Sequence, residues 1–233
     1  MVFSLFCPQK YLTFIAYQIN PKVNLEHACI ISCAVATGFY AAKTQANVQP
    51  GTTAAVWGLG AIGLNAIYGC KHAGVKNIIG IDINNDKKSV GEEFGVTEFI
   101  NPKELDKPVE QYLMEKYGGA DYAFDCIGSQ AVLNTALNSL SVFGTLVVVG
   151  LAPKGTAVTY PTAQLLMGRK IVGAFMGNQP CDQAYQELTN MYIEGNYNID
   201  RLVTNKFKLD QINEAFQTLK DGKCIRSLII FDG

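Results

Sequence analysis

Short apolar runs alternate with helix-like stretches along most of this chain. The apolar runs that predict strands are residues 53–57, 77–82, 97–101, 121–125, 145–150 and 171–175. Helical spacing of apolar positions predicts the intervening helices at residues 61–73, 86–94, 108–117 and 130–140. Strands that alternate with crossover helices are typical of a parallel sheet. The pattern therefore predicts an α/β fold with a Rossmann-type, doubly wound parallel sheet of six strands.

The segments on either side of this repeat follow a different pattern. Residues 25–43 predict a helix ahead of the first strand, and residues 182–194 and 210–220 predict two later helices. Residues 225–231 predict a final strand. None of these segments extends the six-strand repeat, so they stand outside the predicted sheet.

The composition excludes several classes of partner. The chain has 233 residues, of which 48% are hydrophobic and 17% charged, and its formal net charge is −1. This balance gives no electrostatic attraction for nucleic acid or for an anionic membrane. No apolar run approaches the ~20 residues that span a bilayer. The apolar start up to Pro8 has no positively charged segment before it, so secretion is not expected either.

The cysteines favour a reducing compartment. There are seven, an odd number, and no two of them form a C-x-x-C pair. Disulfide frameworks are typical of short secreted chains with an even number of cysteines, so we expect a cytoplasmic protein.

A glycine-rich turn joins the first predicted strand to its helix. The residues with G-x-G-x-x-G spacing are Gly58, Leu59, Gly60, Ala61, Ile62 and Gly63. The first glycine permits a tight bend, the second lets a pyrophosphate approach bare backbone, and the third lets helix and strand pack closely. The phosphates then lie at a positive helix end. We interpret the turn as a dinucleotide-binding site, the alternative being a purely structural turn.

An acidic residue at the end of the next strand indicates which dinucleotide binds. Asp82 lies nineteen residues after Gly63, where a ribose-binding carboxylate is expected. Its carboxylate would accept from the ribose 2′-hydroxyl of NAD and repel the 2′-phosphate of NADP. No arginine follows at residues 83–86 to neutralise it. The sequence therefore predicts NAD as the cofactor.

Seven short stretches carry a resemblance to a known family. They are residues 31–38, 56–63, 80–84, 99–102, 118–121, 148–150 and 222–226. In order and spacing they resemble the zinc-dependent medium-chain alcohol dehydrogenases, including the glutathione-dependent formaldehyde dehydrogenase branch and its plant relatives. The resemblance implies that the coenzyme-binding sheet is inserted into a GroES-like catalytic domain. It predicts an NAD-binding domain at residues 35–176, with N- and C-terminal remnants of the catalytic domain at residues 1–34 and 177–233.

The same resemblance implies roles for residues outside the glycine turn. The residues implied to line the nicotinamide are Thr37, Val149, Gly150, Leu151, Ala174, Phe175 and Met176. Lys87 matches a lysine beside the adenosine ribose, and Arg226 matches an arginine that reaches the pyrophosphate. Each residue has an ordinary alternative, which is packing at a strand end for the first group and solvent exposure for the two cations.

The resemblance implies a zinc site that is incomplete in this chain. Cys33 matches the third catalytic zinc ligand of the family, but a catalytic zinc needs three protein ligands. The N-terminal half that supplies the other two, together with the acid–base relay, is not recognisable here, so no catalytic residue is assigned. His27 and Cys29 lie nearby, but Cys29 and Cys33 are four apart on one helix face, where we expect two buried thiols.

The predicted function is that of an oxidoreductase. The resemblance implies hydride transfer between NAD and a primary alcohol or aldehyde, or S-(hydroxymethyl)glutathione, with zinc as Lewis acid. We expect an N-terminally truncated chain, because the family's N-terminal half is not recognisable and residues 1 to about 14 look unrelated to the family. The sequence leaves three explanations open: a truncated gene model, a splice form or a degenerate paralogue. Family members dimerise near residues 163–175, which predicts a homodimer. The alternative is a non-catalytic NAD-binding or dimerisation module that has lost its zinc site.

Overall fold

The computed structural model describes residues 20–231, and these divide into two compact units. One unit is Thr37–Asn178, and the other combines residues 20–36 with residues 179–231. The predicted domain boundaries after residues 34 and 176 lie two residues earlier at each crossing. The predicted unrelated segment at residues 1 to about 14 lies outside the described residues.

A long helical stretch runs from Leu25 to Ala46. Its segments in order are helix α1 (Leu25–Ile30), a π-helical segment (Ile31–Val35), helix α2 (Ala36–Tyr40) and a second π-helical segment (Ala41–Ala46). By length and composition this stretch could cross a membrane, so the expectation that no apolar run reaches that length is wrong. However, 67% of its most apolar window is buried inside the protein, as in the core helix of a water-soluble protein, so the finding is weak support for a membrane span.

The unit Thr37–Asn178 contains one six-stranded sheet in which all strands are parallel. Its strands are β1 (Thr53–Trp57), β2 (Asn77–Ile81), β3 (Glu98–Ile100), β4 (Ala120–Asp125), β5 (Leu140–Val148) and β6 (Lys170–Gly173). The order across the sheet is β3-β2-β1-β4-β5-β6. This is the order of a doubly wound sheet, with its switch point between β1 and β4. The predicted fold class is confirmed.

Helices connect consecutive strands of this sheet. They are α3 (Ala61–His72), α4 (Lys87–Phe94), α5 (Val109–Tyr117), α6 (Gln130–Asn138) and α7 (Thr162–Leu166). Local signals set their ends: Ser129 caps α6 by accepting a hydrogen bond from Val132 N, and Gly118 ends α5 with a φ of 73°. The inner faces of α5 and α6 pack with β4 and β5 in a buried cluster that includes Leu113, Leu137 and Leu146.

The fifth strand begins earlier than the sequence predicts. The predicted helix 130–140 ends at Asn138, and β5 starts at Leu140 rather than at residue 145. The four residues Ser-Val-Phe-Gly at positions 141–144 were not predicted as strand. In the structure the strand is irregular at this point, because Phe143 adopts a left-handed conformation with a φ of 65°. The register with β4 shifts between Ala120 and Tyr122 to accommodate this irregularity. Likewise β6 ends at Gly173, so Ala174 and Phe175 lie beyond the strand predicted there.

The other unit has less regular structure. Its elements after residue 179 are α8 (Cys181–Ile193), a 3₁₀ turn (Ile199–Leu202), β7 (Val203–Lys208), a second 3₁₀ turn (Leu209–Gln211), α9 (Ile212–Lys220) and β8 (Arg226–Ile230). Strands β7 and β8 pair in parallel. The sequence did not predict β7, because its half-buried alternate positions include the polar Asn205 beside Phe207. Period-2 alternation is a weak signal when one of the inward residues is polar.

Candidate functional site

The glycine turn lies at the carboxyl end of β1, beside the switch point of the sheet. Gly58 has a φ of 90°, and its N–H donates to the Ile81 carbonyl at 2.8 Å. A Cβ on Gly63 would lie 1.9 Å from the Gly58 carbonyl oxygen. The chain's own backbone therefore requires glycine at both positions, whatever the turn binds.

Gly60 differs from these two glycines. It is exposed, its φ is −80°, and a Cβ there would meet no atom within 4 Å. It is the N-cap of α3, whose first turn presents backbone N–H groups without partners inside the helix. Nothing in the fold of the turn demands glycine at this position, and the space a side chain would fill lies at the positive end of a helix. This is the geometry that a bound pyrophosphate requires.

The other three residues of the turn serve mainly to anchor it. Leu59 and Ala61 are buried, and Ile62 is half-buried. Leu59 packs close to Gly80 and Gly91, where an added Cβ would approach its Cδ2 to 3.1 Å and 2.8 Å. Any contact of these residues with a coenzyme would thus come from their backbone rather than from their side chains.

The carboxylate of Asp82 holds the glycine turn from the neighbouring strand. Leu59 N donates to its Oδ2 at 2.8 Å, and Asn84 N donates to its Oδ1 at 3.0 Å. Each carboxylate oxygen has two lone pairs, so both oxygens can still accept from ribose hydroxyls. Asp82 thus positions the turn as well as offering acceptors to a ligand. Lys87, at the first position of α4, is half-buried, and its role beside the ribose stays a prediction.

Three predicted residues follow β5, and two of them bond to the same carbonyl. Val149 N and Gly150 N both donate to the Asp125 carbonyl, at 3.0 Å and 2.8 Å, and the side chain of Leu151 is 95% exposed. Asp125 ends β4 and is fully buried. The sequence analysis did not select Asp125, although one signal was available: it ends a buried strand in the same way as Asp82 follows β2.

The remaining predicted nicotinamide residues are Thr37 in α2 and three residues just after β6. Thr37 Oγ1 donates to Met176 Sδ at 3.8 Å, so the structure brings these two residues together. Ala174 is buried and its N–H donates to Val148 O at 2.9 Å, whereas Phe175 is 80% exposed. Met176 has a φ of 51°, a left-handed conformation that is uncommon for a residue with a side chain. Such conformations cluster at functional sites.

Arg226 belongs to the other unit. It is half-exposed at the start of β8, and its carbonyl accepts from Thr204 Oγ1 at 3.3 Å. Its contact with a coenzyme pyrophosphate stays a prediction.

Cys33, which the resemblance implies in zinc binding, and its neighbour Cys29 are both exposed. The expectation that Cys29 and Cys33 are buried is wrong, because Ala28, Ile30 and Ala34 take the buried side of this helix instead. Cys29 Sγ donates to the Glu26 carbonyl at 3.1 Å. Cys33 lies in the π-helical segment Ile31–Val35, a geometry that is frequent at functional sites.

A metal site needs more ligands than the described chain brings together. His27 Nδ1 lies 2.9 Å from Tyr192 Oη and 3.0 Å from Asp200 Oδ1, a side-chain triangle of its own. Within residues 20–231 no three His, Cys, Asp or Glu side chains are grouped to hold a metal ion. Since a catalytic zinc takes three protein ligands, the described residues do not fit one.

Comparison with known proteins identifies the family. Residues 61–193 match the family described as zinc-binding dehydrogenase. The chain belongs to this family. A geraniol dehydrogenase from Carpoglyphus lactis is 56% identical to this zinc-binding dehydrogenase over 215 residues, which are 92% of this chain and 57% of that enzyme.

Solved structures of alcohol dehydrogenases are similar as well. An alcohol dehydrogenase zinc-binding domain protein from Burkholderia ambifaria matches with a TM-score of 0.87 at 30% identity, covering 93% of this chain and 58% of that one. Benzyl alcohol dehydrogenase from Acinetobacter calcoaceticus matches with a TM-score of 0.87 at 28% identity, covering 93% and 59%. The chain therefore spans somewhat more than half the length of the relatives it matches.

These matches confirm the resemblance to zinc-dependent alcohol dehydrogenases and the assignment to an oxidoreductase family. Membership implies a nicotinamide coenzyme and zinc in general. The described residues fit the first of these, because the open space at Gly60 suits a pyrophosphate. They do not fit a catalytic zinc.

Proposed function

We propose that this zinc-binding dehydrogenase chain binds NAD at the carboxyl edge of its six-stranded sheet and serves hydride transfer between NAD and a primary alcohol or aldehyde. The observation that carries the proposal is Gly60, whose missing side chain leaves open space at the N-terminus of α3. The bound coenzyme would supply the hydride acceptor. The chain's own part is to bind the pyrophosphate at Gly60 and the ribose at Asp82.

Asp82 supports NAD over NADP. Its two oxygens already accept from Leu59 N and Asn84 N, which fixes a negative charge beside the place where the adenosine ribose would lie. A 2′-phosphate there would face this carboxylate without a neutralising arginine in residues 83–86. We therefore expect NADH to bind more tightly than NADPH.

The substrate class follows from the relatives. Geraniol and benzyl alcohol, named for two of the matches, are primary alcohols with an unsaturated carbon next to the carbinol. We propose an apolar primary alcohol of this kind, or its aldehyde, as the substrate of the complete enzyme. S-(hydroxymethyl)glutathione, the alternative from the sequence, is a charged substrate and is the comparison in the test.

Trp57, the only tryptophan of the chain, provides the binding assay. It is buried at the end of β1, directly before the glycine turn, so energy transfer to bound NADH should quench its emission. We expect NADH to bind with clearly higher affinity than NADPH, and Asp82→Ala should reduce the ratio of these two affinities. Gly60→Leu should abolish the binding of both without lowering the melting temperature, because nothing lies within 4 Å of the new Cβ. Equal affinities for both coenzymes in the wild type would refute the NAD assignment.

A second candidate function is a non-catalytic NAD-binding and dimerisation module. The absence, within residues 20–231, of any group of three His, Cys, Asp or Glu side chains that could hold a metal ion favours it. Turnover of geraniol, benzyl alcohol and S-(hydroxymethyl)glutathione, combined with zinc analysis by mass spectrometry, separates the two candidates. For this chain alone we expect the result of the second candidate, which is NADH binding with no stoichiometric zinc and no turnover. Hydride transfer is proposed for the protein with a complete zinc site. One zinc per chain with turnover of geraniol would show that residues discounted here, His27 and Cys29 first, complete a metal site.

We propose a homodimer through the sheet edge formed by β6. The edge strand carries Ile171, which is 43% exposed, and the preceding helix α7 presents Leu166, which is 90% exposed. An apolar edge of this kind invites pairing with a second copy. Ile171→Lys should shift the chain from dimer to monomer in light scattering. Met114→Lys, at a residue equally 43% exposed on α5, should not. A wild-type monomer at micromolar concentration would contradict the proposal.

We also propose a cytoplasmic location. The six described cysteines are all free thiols, which suits a reducing compartment. Fractionation of cells that express the tagged full chain tests it, and recovery in a secreted fraction would overturn it.

A further inference from the structure

One buried carboxylate accepts hydrogen bonds from two backbone N–H groups beside the glycine turn. Asp125, the last residue of β4, has no exposed surface. Its Oδ1 accepts from Ile127 N and Gly128 N, both at 3.0 Å. Its carbonyl oxygen accepts from Val149 N and Gly150 N. A single residue therefore holds the loop that follows β4 and the loop that follows β5.

The two loops held by Asp125 lie against each other and against the glycine turn. A Cβ on Gly150 would come within 2.2 Å of Gly128 N, so these loops touch backbone to backbone. A Cβ on Gly58 would come within 2.7 Å of Ile127 Cγ1. A small shift of either loop would thus move the surface at the carboxyl end of β1, β4 and β5, the switch point of the sheet.

The second oxygen of this carboxylate argues against a purely stabilising role. Among the described residues, Asp125 Oδ2 is buried without a hydrogen-bond partner. Leaving a buried polar atom unpaired costs stability, and most buried polar atoms in folded proteins are paired. The carboxylate is therefore placed to fix the loop after β4 through Oδ1, and this loop in turn touches the loop after β5.

The other end of the same strand provides an internal comparison. Asp121 also bridges β4 to its neighbours, because its Oδ2 accepts from Thr53 N at 2.9 Å and its Oδ1 accepts from Ser141 Oγ at 3.1 Å. Both of its oxygens are paired, and it lies at the amino end of the parallel strands, away from the glycine turn. The two aspartates share residue type and strand but differ in which edge of the sheet they organise.

We propose that Asp125 is a positioning residue for the nicotinamide end of the coenzyme. It holds residues 126–128 and 149–151 at the spacing that lets the Val149–Leu151 backbone meet the ring, while Gly60 and Asp82 hold the pyrophosphate and ribose independently. This inference rests on the proposed NAD binding. It predicts that loss of the carboxylate weakens binding of the nicotinamide end and spares the rest of the coenzyme.

The test compares NADH with ADP-ribose, which has everything except the nicotinamide ring, by calorimetric titration of the full chain. Asp125→Ala should weaken NADH binding about tenfold or more, equivalent to about 1.4 kcal/mol, and change ADP-ribose binding less than about threefold. Asp125→Asn keeps an oxygen for the two loop N–H groups and should restore NADH binding. Asp121→Ala should lower the melting temperature without changing the ratio of the two affinities.

The outcomes distinguish failure of the proposed NAD binding from failure of the positioning role alone. If the wild type binds neither ligand, the proposed function falls and this inference falls with it. If the wild type binds both, and Asp125→Ala weakens both equally or behaves like Asp121→Ala, only the positioning role is overturned. If Asp125→Ala does not fold, Gly150→Ala decides instead, because its Cβ would press against Gly128 N and part the loops with the carboxylate intact. Unchanged NADH binding in that variant would overturn the inference.

Discussion

The sheet of the unit Thr37–Asn178 and helix α9 of the other unit differ in how completely they bury apolar residues. In the unit Thr37–Asn178 every residue of β1 is buried, and Leu137 is 1% exposed between helix and sheet. In the other unit Leu219 is 52% exposed and Phe216 56% exposed on the face of α9. A parallel sheet with helices on both faces completes its own core, whereas two paired strands with one helix leave an apolar face uncovered. We therefore expect the stability of this chain to reside mainly in the unit that contains the glycine turn.

The largest loss of stability should come from substitution of Gly63, which differs from Gly60 of the same turn in the space around it. Gly63→Leu should unfold the unit Thr37–Asn178, a loss of more than about 4 kcal/mol, because the new Cβ would lie 1.9 Å from the Gly58 carbonyl oxygen. Gly60→Leu in the same turn is the matched control and should keep the wild-type melting temperature. Circular dichroism melts of both variants test this. Equal loss in both would mean that the turn tolerates no side chain for reasons of folding alone.

A pair of leucine truncations would sharpen the comparison at an intermediate scale. Leu137→Ala should lower the free energy of unfolding by about 2–5 kcal/mol, since it opens a cavity in a packed core. Leu219→Ala should change it by less than about 0.5 kcal/mol, as expected for an exposed position. Denaturant titration of the two variants measures both values. A large cost at Leu219 would show that the face of α9 is covered in solution.

The smallest loss of stability should come from substitution of Glu98, whose carboxylate belongs to the unit Thr37–Asn178. Burial raises the pKa of Glu98, but hydrogen bonds from Lys116, Tyr112 and Tyr117 outweigh it and hold this pKa below its ordinary value of 4.5. A lowered folded-state pKa contributes stability that is complete above the ordinary value and is lost as pH falls through the folded-state pKa. Glu98→Gln should therefore cost about 1 kcal/mol at neutral pH and progressively less below about pH 4.5.

The control for this pH dependence lies in the other unit. Glu26 makes a single exposed ion pair with Lys206, so Glu26→Gln should change stability by less than about 1 kcal/mol at neutral pH. Urea titrations of both variants between about pH 3 and pH 7 compare them. A cost of Glu98→Gln that stays constant across this range would contradict the linkage.

The parts of the fold that sequence reasoning recovers are those dictated by short-range pattern. Strand β1, the turn at Gly58 and helix α3 follow from a buried run, glycine spacing and helical periodicity, which are all local. The start of β5 is not local, because Phe143 takes a left-handed conformation and the strand pairs with β4 across a register shift. Strand β7 was missed because pairing with β8, rather than its own alternation, makes it a strand.

The site shows the same division. The residues of the glycine turn and Asp82 were selected because a known spacing connects them, and their roles toward a coenzyme stay predictions. Asp125 was missed because its importance comes from accepting the N–H groups of residues in two loops, Ile127 and Gly128 in one and Val149 and Gly150 in the other. No spacing rule records a residue whose carboxylate accepts from the next loop while its carbonyl accepts from a loop more than twenty residues away. Only the assembled sheet edge shows it.

Thr37 and Met176 meet at the two ends of one unit, with Thr37 Oγ1 3.8 Å from Met176 Sδ. A unit whose two chain ends lie close together can be inserted into another sequence, or removed from it, because only a short connection is needed at the junction. The unit Thr37–Asn178 can therefore keep its glycine turn and its sheet while the sequence around it diverges.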